Sequence, residues 1–98
     1  MKREELIDLI PDDTNSVLLE PEEMDSALLG YDESGNRFVY GYKRLVAYFV
    51  EEGMSEEEAI EWIDYNIIRG LPYMGENAPI VIEEFENTSS LQKKELEQ

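Results

Sequence analysis

Acidic side chains outnumber basic ones by 24 to 8 in this chain of 98 residues, giving a formal net charge of −16 at pH 7 and a pI near 4.1. Self-repulsion of that size works against any compact state. Folding therefore requires a real apolar core, and 42% of the residues are hydrophobic and 10% aromatic. That is too apolar for a disordered acidic tail. A domain of this length buries roughly two thirds of the surface that its unfolded chain exposes, so one modest core is expected.

The same composition excludes several classes of function. Phosphate contacts need Lys and Arg, so direct binding of nucleic acid or of anionic lipid is not expected. There is no cysteine and no histidine, which removes disulfides, thiolate nucleophiles, the usual zinc ligands and the usual proton carrier near neutral pH. The expectation is a non-enzymatic protein without cofactor or metal. Met1-Lys2-Arg3-Glu4-Glu5 opens with basic residues but has no apolar run of signal length behind it, and no stretch approaches a membrane span. A cytoplasmic location follows as the expectation.

Hydropathy patterning and turn residues predict the elements. Lys2 to Ile10 suits a short helix stopped by Pro11, and Val17-Leu18-Leu19, closed by Glu20-Pro21, is either a strand or a docked extension. Ala27 to Tyr31 and Arg37 to Tyr40 are β-prone, and Asp32-Glu33-Ser34-Gly35-Asn36 between them has turn chemistry, which predicts a hairpin. A helix is expected from Tyr42 to Glu52, ended by Gly53. The next helix starts at a capping box, with Ser55 as N-cap and Glu58 three residues on, and continues to about Arg69 before Gly70. Its residues Ala59, Ile60, Ile63 and Ile67 share the face expected to meet the sheet, with Trp62 at the border. A loop from Leu71 to Ala78 leads to a strand at Pro79 to Glu83. The order predicts an α+β fold: a small three-stranded antiparallel or mixed sheet, made of the hairpin and the C-terminal strand, with two helices packed on one face. Residues 1–22 read as a short helix and extended segment, 23–86 as a single α+β domain, and 87–98 as a flexible polar tail.

The charge is concentrated. Between Glu51 and Asp64 stand seven carboxylates, Glu51, Glu52, Glu56, Glu57, Glu58, Glu61 and Asp64, with no basic residue among them. Glu57, Glu61 and Asp64 fall on one helical stripe, where neighbours lie about 5–6 Å apart at Cβ. Successive phosphates of a nucleic-acid strand rise about 3.4 Å each before the sideways step is counted, so such a row can imitate a phosphate row. The helix dipole accounts for Glu56, Glu57 and Glu58 at the N-terminus, but not for Glu61 and Asp64. A solvated face kept acidic for solubility, or salt adaptation, would give a similar pattern; the eight isoleucines speak against a halophile. Trp62, Tyr65 and Tyr73, beside and after the stripe, are the apolar anchors expected of an interface.

Other sites fit less well. Asp32 to Asn36 has its glycine two positions too early for a calcium loop and lacks a glutamate at the twelfth position. Glycoside chemistry needs two carboxylates about 5 to 9.5 Å apart in a cleft, and nothing singles out a pair.

Three stretches together resemble a known family: Tyr40-Gly41-Tyr42-Lys43-Arg44-Leu45, then Glu52-Gly53-Met54-Ser55-Glu56-Glu57-Glu58-Ala59-Ile60-Glu61-Trp62-Ile63-Asp64-Tyr65-Asn66, then Gly75-Glu76-Asn77-Ala78-Pro79-Ile80. They are similar to small acidic proteins of phages and prophages, over about residues 20–85. What the resemblance implies is a context, a virus acting inside a bacterial or archaeal host cell, with no single activity attached. Asn66 and Glu76 match its pattern and are expected to be structural, a buried Asn satisfying loop backbone and a Glu bracing the loop. Charge and context together point to an inhibitor, such as an anti-CRISPR or anti-restriction protein, that presents a DNA-like face to the basic nucleic-acid channel of a host defence enzyme. The alternative is an adaptor that binds proteins through the aromatic patch, its acidity serving solubility. A homodimer is open in either case.

Overall fold

A computed structural model of the chain describes residues 2–10 and 15–85. Pro11 to Thr14 and the polar tail read at 87–98 lie outside the described residues. The fold is α+β, built on a three-stranded mixed sheet in the order β1-β2-β3.

Strands β1 (Leu28–Asp32) and β2 (Arg37–Gly41) form the antiparallel hairpin, paired Leu28 to Tyr40, Gly30 to Val39, Tyr31 to Phe38 and Asp32 to Arg37. The register slips by one residue between Leu28 and Gly30, which makes Leu29 a bulge. Turn chemistry closes the loop. Asp32 Oδ1 accepts from the Ser34 hydroxyl at 2.7 Å and from the Ser34 amide at 3.2 Å, while Asn36 takes the left-handed conformation at φ 53°. The Ser34 hydroxyl, with Arg37 behind it, holds the Asp32 carboxyl below its ordinary pKa.

The second half of the chain begins without a loop. Helix α2 (Tyr42–Glu51) starts directly after Gly41, and Gly53, at φ 110°, turns the chain toward α3 (Glu56–Ile63). The capping box is present as read: Ser55 Oγ accepts from the Glu58 amide at 3.1 Å and Glu58 Oε1 accepts from the Ser55 amide at 3.2 Å. The helical segment continues to about Arg69 as expected, but not all of it is α-helix. Regular α-helix ends at Ile63, and residues Asp64–Ile68 form a single π turn, with the Arg69 amide donating to Asp64 O at 3.1 Å. A 3₁₀ turn, Leu71–Tyr73, follows.

Strand β3 (Ile80–Ile82) then pairs with β2 in parallel, Val39 to Ile80, Tyr40 to Val81 and Gly41 to Ile82. Of the two arrangements left open by the sequence, the mixed one is formed, because α2 and α3 supply the long crossover that a parallel pair needs.

The core lies where β2 meets the helices. Phe38 and Tyr40, two residues apart on one face of the strand, join Leu45 and Phe49 of α2, Ala59 and Ile63 of α3, and Ile67. Ile60, expected on this face, is half-buried instead and lines a groove against α2. Three core residues come from before β1: Leu19 in an extended segment, and Met24 and Ala27 in a 3₁₀ turn, Glu22–Ala27. The Leu19 amide donates to the Tyr40 hydroxyl at 2.8 Å inside the core. Helix α1 (Arg3–Asp8) buries no residue and is tied on by Arg3, which forks onto Asp25 at 2.9 and 3.1 Å and also donates to Glu20 and to Leu19 O. The loop ahead of β3 is braced by Asn77, whose amide donates to Gly35 O and Asn36 O at the hairpin tip. That corrects the role expected of Glu76, which is exposed. Asn66 is likewise exposed, and donates to Trp62 O within its own helix rather than to a loop.

Candidate functional site

All seven carboxylates between Glu51 and Asp64 are exposed. Glu51 ends α2, Glu52 caps it, Glu56, Glu57 and Glu58 make the first turn of α3, Glu61 follows one turn on, and Asp64 opens the π turn. Because Ala59 and Ile63 point into the core, residues offset from them around the helix point away, and the Glu57, Glu61 and Asp64 stripe faces solvent. No described arginine forms an ion pair with any of the seven. Arg3 pairs with Asp25 and Glu20, Arg37 with Asp32, and Arg44 with Glu84.

Two of the seven also serve the fold. The Glu58 carboxylate is half of the capping box, and Asp64 Oδ1 accepts from the Tyr42 hydroxyl at 3.0 Å. Burial, with that bond and the Asp64 charge, pushes the Tyr42 phenol above its ordinary pKa. Burial and the nearby Glu52 charge do the same to Tyr48. Glu57 and Glu61 have no such internal task.

The three aromatic anchors are not equivalent. Trp62 is 39% exposed and its ring lies tilted on buried Phe49, centroids 4.7 Å apart. Tyr65 is 65% exposed, with the Arg69 guanidinium 4.2 Å above its ring centre. These two, with Met54, Glu58 and Glu61, line one shallow depression of about 310 Å³. Tyr73, 90% exposed in the 3₁₀ turn, does not line it. A depression walled by two rings and two carboxylates suits a cationic side chain, and Arg69 on Tyr65 shows the ring already taking a guanidinium.

A second, larger concavity lies, Glu56 aside, outside the site residues that the sequence singles out. It runs between α2 and α3, about 560 Å³ in volume, lined by Val46, Ala47, Val50 and Ile60 with Tyr42, Lys43, Glu56 and Glu83. The signal for it was present: Leu45 to Val50 is an unbroken apolar run, too much for one buried helix face. Leu45 and Phe49 take the core, which leaves Val46 half-buried and Val50 42% exposed.

Among the described residues no group of three or more acidic side chains is placed to hold a metal ion, and no helix is long and apolar enough to cross a membrane. No family model, no curated protein and no solved structure matches the chain.

Proposed function

We propose that this protein is a non-enzymatic inhibitor that binds a basic protein surface, of the kind that forms a nucleic-acid channel, by presenting the α3 carboxylates in place of phosphates. One observation carries the reading: seven exposed carboxylates, from the end of α2 through α3 to the start of the π turn, crowd together without an ion pair to any described arginine. Like charges at helical spacing cost a few tenths of a kcal/mol per pair, so this face is held against a steady cost to stability. A phage protein acting in the host cytoplasm against a CRISPR effector or restriction enzyme is the setting in which such a surface has a use.

The test is the inhibition of DNA binding by a candidate host enzyme, measured with the native chain and with Glu57→Lys/Glu61→Lys. Those two positions are chosen because Asp64 and Glu58 have internal partners and would confound the result. Inhibition that falls with salt and disappears in the double variant is the expected outcome. Full inhibition by the double variant overturns the reading.

A second reading is favoured by the depression between Trp62 and Tyr65. In it the chain is an adaptor whose aromatic patch holds the partner while the charge keeps it dissolved. Trp62→Ala would then weaken binding more than the charge reversal does, and salt would matter little.

A further inference from the structure

On the premise that the chain binds basic protein surfaces, we infer that the groove between α2 and α3 is where a partner's basic amphipathic helix docks, apolar side down. The floor of the groove is aliphatic: Val46 and Val50, one turn apart on α2, face Ile60 of α3, and Val50 is 42% exposed. Apolar side chains on that floor leave water for a well-shaped site, which the carboxylate stripe alone does not offer. The rim decides the occupant. Glu56 and Glu83 line it and Asp64 stands beside Tyr42 at one end, against Lys43 as the single cation among the lining residues. An apolar helix with acidic flanks would be repelled by Glu56 and Glu83, whereas one flanked by Lys and Arg meets opposite charge along the rim that those two carboxylates line. A third helix is also what two packed helices accommodate in their shared groove, and α2, at ten residues, is about 15 Å long, enough for three or four anchors at helical spacing. The carboxylate stripe then attracts the partner and the groove holds it.

The test uses three synthetic 18-residue peptides of equal charge: one with leucines at helical spacing among lysines and arginines, one scrambled, and one with the leucines replaced by glutamine. Binding is followed by fluorescence anisotropy and by amide shifts of the ¹⁵N-labelled full chain. The amphipathic peptide is expected to bind best, to move the amides of Ala47, Val50 and Ile60, and to lose roughly tenfold or more in affinity with Val50→Lys. Ala47→Lys, also at an exposed position, is the second variant, and the circular dichroism of both should match the native chain. If all three peptides bind alike and shift Glu57, Glu61 and Trp62, the groove proposal is overturned while the acidic-surface reading stands. If none binds even at low salt, both fall. Concentration-dependent groove shifts without peptide would make a second copy of this chain the occupant, which also overturns the proposal.

Discussion

Tyr40 has its ring in the core and its hydroxyl on the Leu19 amide, so one side chain joins the sheet to a segment twenty-one residues earlier. Burial pushes its phenol up to about 12. In the unfolded chain a tyrosine ionises near 10, so between those values the unfolded state sheds a proton that the folded state keeps, and stability falls as pH rises. Below pH 10 the contribution is complete. Urea unfolding of the native chain and of Tyr40→Phe across this range should show a steeper loss in the native chain. At neutral pH the variant should be less stable by about 1–3 kcal/mol, because it leaves the Leu19 amide buried without an acceptor. None of this is legible in the sequence, where Tyr40 is one β-prone aromatic among several. The capping residues, by contrast, are fully legible, because Ser55 and Glu58 interact with backbone three positions away and need no tertiary context.

At the scale of elements, local chemistry was readable and its tertiary consequences were not. The hairpin announces itself through turn residues between two β-prone runs, and both α2 and α3 start where glycine and serine place them. The π turn after Ile63 has no sequence mark, since Ala59, Ile63 and Ile67 recur every four residues whether the last turn is α or π. The 3₁₀ turn holding Met24 and Ala27 was missed for a related reason: two apolar residues among acids give no period to read. The carboxylates of the candidate site are legible because charge declares itself, whereas the run Leu45 to Val50 signals only a surplus of apolar residues on α2, and the groove they line takes shape once α3 packs beside it. Ser55→Ala removes the N-cap of α3 and should lower stability by about 1 kcal/mol in urea unfolding. Its effect on the site should be confined to the first turn, leaving the stacking of Trp62 on Phe49 in place.

The molecule as a whole is a −16 polyanion wrapped around a modest core. Its carboxylates repel over a screening length of about 30 Å at 0.01 M salt, falling to about 3 Å at 1 M. Thermal melting followed by circular dichroism should therefore rise with sodium chloride over that range. The rise should be smaller for Glu57→Lys/Glu61→Lys, which removes part of the repulsion, and equal rises would mean that the helix face contributes little to the self-repulsion. The parallel pairing of β3 was open in the sequence because it depends on where the crossover returns the chain, not on the residues Ile80–Ile82 themselves.

That crossover also sets an order of events. Residues 42–79 separate β2 from β3, so the third strand closes a large loop and has nowhere to settle until the helical pair has formed on the hairpin. It is then expected to be the last strand in and the first out. Native-state hydrogen exchange should find the β3 amides opening at lower free energy than those joining β1 to β2, with the hairpin persisting after the strand has left. Each such opening would briefly free the second edge of the central strand, making this end of the sheet the chain's own point of entry for unfolding.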